Sequence, residues 1–174
     1  GKLKEYNSSV YYLPFAYDPY LYEDNDHNNE DKTIPEVDVA FVGTWTENRE
    51  EWLADIQANY DLKIWGNHWE KAEKSALAEN CIQGHPLYGN NFAKACQHSK
   101  IMLNFIRDQN RNAHNMRTFE VPGCKGFLLT ERTQEQCEIF KEGEEIACFE
   151  GLKDLREKLD YYLNHVRERE RVAK

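Results

Sequence analysis

From residue 36 onward, the sequence alternates short apolar runs with longer stretches whose apolar residues recur at helical spacing. The apolar runs are six or seven residues long, as expected for strands that are buried on both faces. The runs are VDVAFVG (37–43), DLKIWG (61–66), KIMLNFI (100–106), KGFLLT (125–130) and EIACFE (145–150). The segments between and after them predict helices over 47–60, 69–80, 91–99, 116–121, 133–140 and 152–170.

Strands that alternate with helices through short loops predict a parallel sheet covered on both sides. We therefore expect an α/β fold, a Rossmann-like doubly wound parallel sheet of about five strands with flanking helices. In such sheets ligands bind beyond the carboxyl ends of the strands. The loops that follow Val42, Trp65, Phe105 and Thr130 are the places to look for a site.

Residues 1–35 have a different character. VYYLPFAYDPY (10–20) is an extended aromatic stretch with two prolines, and EDNDHNNEDK (23–32) is an acidic, turn-forming loop with little to bury. We interpret 1–35 as an extended hinge or approach segment and 36–174 as one Rossmann-like domain.

Composition and charge argue against nucleic-acid-binding and membrane-spanning proteins. The 174 residues carry a net charge of −9, which argues against a nucleic-acid partner. No apolar run approaches the roughly 20 residues that span a bilayer, and GKLKEYNSSV lacks the apolar core of a signal peptide. We expect a cytoplasmic protein with no membrane span. An anionic ligand would have to be held locally by a few basic groups and helix amino ends.

The five cysteines show no C-x-x-C pair, and the histidines show no metal-binding spacing. We expect reduced, mostly buried thiols, no metal site and no cofactor.

Two loops carry weaker candidates. After the first strand, Gly43 and Thr44 open a turn that could hold a phosphate, with Arg49 nearby, although a plain strand-to-helix turn explains the same residues. Thr44 or Thr46 could cap the following helix. After the second strand, Trp65, Gly66 and His68 could contact a base, or the aromatic rings could simply cover the sheet edge. Tyr88, which precedes another helix start, and His114 are further candidates for contacts with the base or the sugar.

The stretch HNMRTFEVPGCKGFLLTE (114–131) is more specific. His114 precedes Asn115, a natural N-cap, and the first turn of the helix beginning at Met116 would point N–H groups at an anion beside Arg117. Glu120, one turn on, suits a pair of ribose hydroxyls. The alternative is an Arg117–Glu120 ion pair within the helix, worth a few tenths of a kcal/mol.

Together, these motifs resemble the C-terminal half of CgeB-like glycosyltransferases, which are related to the family 1 glycosyltransferase domains of GT-B fold. The resemblance rests on Leu103-Asn104, RTFE (117–120), GFLLTE (126–131) and FKEGEEI (140–146), with YLPFAYDP, VDVAFVGTWTENREEWL and LKIWG upstream.

The resemblance implies a second Rossmann domain of a GT-B enzyme that binds a nucleoside-diphospho sugar, of UDP type. Glu120 would hold the ribose, and residues 115–117 would face the diphosphate, with GTWTENR (43–49) across the cleft. Retaining members of the wider superfamily carry a glutamate where this chain has Asn112, which leaves the stereochemical outcome open.

A GT-B enzyme also needs an N-terminal acceptor domain, and we expect this partner in the same parent chain. Alone, the chain should transfer nothing. The rival hypothesis is a non-catalytic Rossmann-like interaction or structural domain. It predicts an Arg117–Glu120 pair closed on itself and a cleft filled by Trp65 or Trp69.

Overall fold

A computed structural model of the chain describes residues 5–22 and 33–174. Its centre is a five-stranded sheet in the order β2-β1-β3-β4-β5, in which every neighbouring pair is parallel. The strands are β1 (Val37–Val42), β2 (Leu62–Trp65), β3 (Ser99–Asn104), β4 (Leu128–Glu131) and β5 (Ala147–Phe149). The predicted Rossmann-like sheet of five strands is confirmed.

Helices cover both faces of the sheet. They are α1 (Glu47–Ile56), α2 (Ser75–Asn80), α3 (Gly89–His98), α4 (Arg117–Gly123), α5 (Gln134–Ile139), α6 (Gly151–Asn164) and α7 (Val166–Val172). Val39 and Phe41 of β1 belong to one core layer with α1 and α6, whereas Ala40 and Val42 belong to the other with α3. Side chains alternate across a strand, so an apolar run such as VDVAFV fills two layers at once.

Two predicted helices are interrupted. The segment 69–80 forms a short 3-10 turn, Trp69–Lys71, before α2 begins at Ser75. Between them, the backbone N–H groups of Glu73 and Lys74 both donate to the Glu50 carboxylate at 2.6 Å, so tertiary bonds replace helical ones.

The predicted terminal helix breaks at His165, which separates α6 from α7. Arg169 donates to the carbonyl of Tyr162 at 2.5 Å, and so satisfies an acceptor near the end of α6. The first predicted helix ends early, at Ile56 rather than at residue 60.

The approach segment is seen only in part. Residues 5–22 are mostly irregular and include a 3-10 turn at Pro19–Leu21 that Asp18 caps. The predicted acidic loop, 23–32, lies outside the described residues. Within the described part of the chain, no helix is both long and apolar enough to cross a membrane.

The strand order creates a reversal point. From β1 the chain moves outward to β2, and it then returns across the sheet to β3 on the other side of β1. The two connections leave in opposite directions, so a crevice opens between the carboxyl ends of β1 and β3.

Candidate functional site

A cavity of about 690 Å³ lies at this crevice. Its volume falls within the range of small-molecule sites, roughly 300–1,000 Å³. The walls come from the ends of β1 and β3, the starts of α3 and α4, and the approach segment. The lining residues are Phe15, Leu21, Tyr22, Phe41, Val42, Gly43, Thr44, Arg49, Leu87, Tyr88, Gly89, Phe92, Arg107, Asn110, Asn115, Met116, Arg117 and Glu120.

Sequence reasoning singled out eight of these lining residues, and the fold brings them together. They are Gly43, Thr44, Arg49, Tyr88, Asn115, Met116, Arg117 and Glu120. They come from three separate stretches of sequence, 43–49, residue 88 and 115–120, which converge because parallel strands end at one edge of the sheet.

Hydrogen bonds to residues 65–69 hold the turn at Gly43 in place. Its N–H donates to the carbonyl of Trp65 at 2.8 Å, and its carbonyl accepts from Trp69 Nε1 at 2.9 Å. The N–H of Trp45 donates to Asn67. These bonds fix the turn to the loop after β2, but they also occupy N–H groups that the phosphate hypothesis would have used. Thr46, rather than Thr44, caps α1 by accepting from the N–H of Arg49.

Arg49 ties together the two loops that border the crevice. Its guanidinium donates to the carbonyl of Thr44 at 2.7 Å and to that of Phe105 at 3.0 Å, and it lies 5.4 Å from the centroid of the Phe41 ring. Burial, with a smaller contribution from Arg107, lowers the pKa of Arg49 to about 10. The group therefore stays cationic at neutral pH and keeps a positive charge at the floor of the cavity.

Asn115 does not cap α4 with its side chain. Met116 occupies the N-cap position and makes no side-chain capping bond. Instead, Asn115 and Asn104 exchange a reciprocal pair of amide hydrogen bonds of 3.1 and 2.9 Å. Asn104 also donates to Thr130 at 3.0 Å. A buried polar network from β3 and β4 thus fixes Asn115 at the mouth of the cavity.

Arg117 and Glu120 form an ion pair along α4. The Glu120 carboxylate is 3% exposed, and it also accepts from the Tyr22 hydroxyl. Arg117 further donates to the carbonyl of Val42 at 3.3 Å, and its guanidinium lies 4.1 Å from the centroid of Phe92. The ion pair predicted by the alternative interpretation is therefore present, and it lines the cavity.

Arg107 is a third cation at the site, and sequence reasoning missed it. It lies in the loop directly after β3 and lines the cavity. Within residues 5–22 and 33–174 its guanidinium has no hydrogen-bond or ion-pair partner. Its position after a strand end was the available signal, because ligands bind beyond the carboxyl ends of parallel strands.

Four predicted contact residues, Trp65, Gly66, His68 and His114, do not line the cavity. Trp65 is buried in the sheet, and Gly66 lies beneath the Gly43 turn. His68 is exposed and pairs with Glu70.

His114 is buried beside the cavity and anchors the approach segment. Its Nε2 accepts from the N–H of Phe15 at 3.2 Å, so the proton sits on Nδ1, which donates to Glu135 at 2.7 Å. The ring also makes edge-to-face contacts with Phe15 and Phe119.

Two other features lie away from the crevice. One is a cavity of about 530 Å³ at the amino ends of the strands, lined by residues such as Ser99 and Lys100. The other is a group of potential metal ligands: one ligand atom each of Cys137, Glu142 and Cys148, all within 4.8 Å of one another. Arg132 already pairs with Glu142 there and contacts the Cys137 sulfur, so a guanidinium supplies the positive charge.

Comparisons with known proteins agree with this architecture. A family model described as glycosyl transferase-like matches residues 46–174. No curated protein matches the chain.

Three solved structures share the fold. AviGT4, a glycosyltransferase involved in avilamycin A biosynthesis, aligns with a TM-score of 0.60 at 14% identity, over 92% of this chain and 51% of its own. TarM aligns at 0.58 and 11% identity, over 84% of this chain and 32% of its own. A protein assigned as a UDP-N-acetylglucosamine 2-epimerase from Listeria monocytogenes aligns at 0.57 and 12% identity, over 84% and 43%. The chain thus spans about a third to a half of these proteins.

Proposed function

Because this chain belongs to the glycosyl transferase-like family, we propose that it is the donor-binding domain of a nucleotide-sugar-dependent glycosyltransferase. The crevice between β1 and β3 would hold the nucleoside diphosphate of an activated sugar. The acceptor would bind a separate N-terminal domain of the parent chain, and this chain alone would transfer nothing. We further propose a CgeB-like, hexosyl-transferring enzyme that acts in the cytoplasm.

One observation carries the proposal: three arginines gather at one cavity of a chain whose net charge is −9. Arg49, Arg107 and Arg117 line it, and Glu120 is its only acidic lining residue among those described. Guanidinium groups match phosphate oxygens in geometry and charge. A local surplus of positive charge in an acidic protein favours an anionic ligand.

Each charged residue can then be given a role. Arg107 has an unpaired, exposed guanidinium and would contact the diphosphate directly. Arg117 would contribute from the side while it keeps its bond to Val42. Arg49 donates to two backbone carbonyls and would act through its charge and by positioning the two loops. Glu120 would accept from ribose hydroxyls.

The amino end of α3 adds to the positive charge at the cavity. α3 is ten residues long and begins at the cavity wall with Tyr88 and Gly89. Its macrodipole places partial positive charge at that end. Tyr88 is 61% exposed, so its ring is accessible for stacking on the base.

The reaction would be displacement at the anomeric carbon of the sugar, with the nucleoside diphosphate as leaving group. The sugar–phosphate C–O bond would break and its bonding electrons would go to the phosphate oxygen. The acceptor oxygen would bond to the anomeric carbon and lose its proton to a base supplied by the N-terminal acceptor domain. Arg107 and Arg117 would stabilise that developing negative charge, because fixed cations in a partly desolvated site interact with charge more strongly than the same groups do in water.

The rival function, a non-catalytic interaction domain, is favoured by one observation, the closed Arg117–Glu120 pair. Its second requirement is not met. Trp65 and Trp69 pack into the two core layers instead of filling the crevice. A purely structural domain does not explain why an open cavity is lined by Arg107, whose guanidinium has no partner within residues 5–22 and 33–174.

Calorimetric titration with UDP, GDP and ADP tests the proposal. We expect saturable binding of one nucleotide, UDP, and a roughly tenfold weaker Kd in Arg107→Gln, because a charged hydrogen bond is worth about 1.5–3 kcal/mol. Arg111→Gln is the matched control, since Arg111 is exposed, pairs with Asp108 and lies outside the cavity. Absence of binding by all three nucleotides, or equal effects of the two substitutions, would overturn the donor-site proposal.

A further inference from the structure

The approach segment is docked onto the proposed nucleotide site rather than merely leading to the domain. Residues 11–22, here called the strap, cross the α4 side of the crevice, and Phe15, Leu21 and Tyr22 of the strap line the cavity. The Phe15 N–H donates to His114, and the rings of Tyr17 and Tyr22 stack with centroids 5.2 Å apart and planes 19° apart.

A glycine in α4, Gly123, allows the strap to dock there. A Cβ atom built at Gly123 would lie 2.4 Å from the nearest ring carbon of Tyr17, closer than any real contact. Any other residue at position 123 would clash with the Tyr17 ring in its docked position. The strap and the surface of α4 therefore fit each other only because position 123 has no side chain.

The strap contacts Glu120, the carboxylate that we propose binds the ribose. Both carboxylate oxygens of Glu120 are engaged, one by the Tyr22 hydroxyl and the other by Arg117. Burial and then the neighbouring carboxylate raise the pKa of Tyr22, so its hydroxyl keeps its proton and remains a donor. The Tyr22 ring also packs 5.9 Å from Phe92, which lies beneath Arg117.

We propose that Tyr22 is an internal competitor for the nucleotide, its hydroxyl occupying the Glu120 oxygen that a ribose hydroxyl takes when the donor binds. This inference rests on the proposed function and adds a regulatory contact to it. The hydroxyl of Tyr22 and the ribose hydroxyl are both donors, so one can replace the other on the same oxygen without leaving a buried carboxylate unpaired. Nucleotide binding then requires only a side-chain movement of Tyr22, while the rest of the strap can stay docked.

Competition for one oxygen has a specific consequence for affinity. Every ligand that uses Glu120 must first break the Tyr22 bond, which lowers its apparent affinity, whereas a ligand without ribose hydroxyls has no need to break it. Tyr22→Phe removes the competing donor but keeps the ring stacked on Tyr17. Tyr20→Phe is the matched control, because Tyr20 is 80% exposed and does not line the cavity.

The test is calorimetric titration of both variants and the unaltered chain with UDP and with 2′,3′-dideoxyuridine diphosphate. We expect Tyr22→Phe to tighten UDP binding roughly tenfold, since it removes a hydrogen bond to a charged group. The dideoxy ligand should bind the variant and the unaltered chain equally, and Tyr20→Phe should change neither affinity.

The outcomes separate the two proposals. If UDP binds but Tyr22→Phe leaves its Kd unchanged, weakens it, or shifts both ligands alike, the competitor role of Tyr22 is wrong and the donor site stands. If none of UDP, GDP and ADP binds any of the three proteins, the donor-site proposal fails and this inference fails with it.

Discussion

Substitution of Asn104 tests whether the buried amide network holds the crevice in shape. Asn104 is 2% exposed at the end of β3. Three hydrogen bonds depend on its side chain: it donates to Asn115 at 3.1 Å and to Thr130 at 3.0 Å, and it accepts from Asn115 at 2.9 Å. Asn104→Leu removes all three while keeping the branching and the number of side-chain heavy atoms, so it leaves no cavity.

The expected loss follows from those bonds. At about 1 kcal/mol for each hydrogen bond, the free energy of unfolding should fall by about 3 kcal/mol. For a chain of this size, 1 kcal/mol corresponds to roughly 2–4 °C, so Tm should fall by about 6–12 °C.

Urea denaturation and differential scanning calorimetry would measure the loss. Met102→Leu is the control, because it changes a buried residue of the same strand without touching the network, and such swaps cost less than about 1.5 kcal/mol. If Asn104→Leu were no more destabilising than Met102→Leu, the network would not be stabilising the crevice and our account of Asn115 would be wrong.

Three further predictions concern other parts of the chain. Burial alone would raise the pKa of Glu50, but hydrogen bonds to its carboxylate outweigh burial and lower it below the usual 4.5. Its stabilisation is thus fully present above about pH 4.5 and is lost as pH falls through the folded-state pKa, so Glu50→Gln should cost about 2 kcal/mol at pH 7 and less at pH 3 in urea titrations. Gly66→Ala should cost clearly more than Gly84→Ala by calorimetry: both have positive φ, but only at Gly66 would the new Cβ meet a backbone oxygen, that of Gly43, at 1.9 Å. Cys137 is the one exposed cysteine of the five, so iodoacetamide should alkylate one thiol in the native protein, identified by mass spectrometry, and labelling of a second before unfolding would contradict the burial of the others.

Local patterns were sufficient to predict the sheet. Apolar runs such as VDVAFV are typical of strands buried on both faces, and their alternation with helical segments predicts a parallel sheet between helices. Helix ends were harder, because they depend on partners distant in sequence. The break before α2 follows from the Glu50 carboxylate, which takes two backbone N–H groups more than twenty residues away.

The site was predictable where it follows strand ends. Asn115, Arg117 and Glu120 could be proposed because they follow a strand end, where ligands bind in parallel sheets, and because their side chains suit a phosphate and a ribose. The reciprocal pairing of Asn104 with Asn115 was not foreseen, and it replaced the predicted N-cap. N-cap preference is a local tendency, and a buried amide partner outweighs it.

Tyr22 shows the limit of sequence reasoning most clearly. The aromatic stretch was noticed, yet nothing local to it indicates that one hydroxyl meets a carboxylate 98 residues further along the chain. Gly123 is the residue on α4 that makes room for the strap, but in the sequence a glycine after proline is already explained by the end of a helix. Only the structure shows that the missing side chain makes room for Tyr17.

The central claim is that a nucleoside diphosphate binds between β1 and β3, and amide chemical-shift mapping by NMR during a UDP titration tests it most directly. We predict saturable shifts concentrated at Gly43, Thr44 and Met116, with Lys100 and Lys125 at the opposite cavity unaffected. Shifts concentrated at Lys100 and Lys125, or none at saturating UDP, would contradict the account.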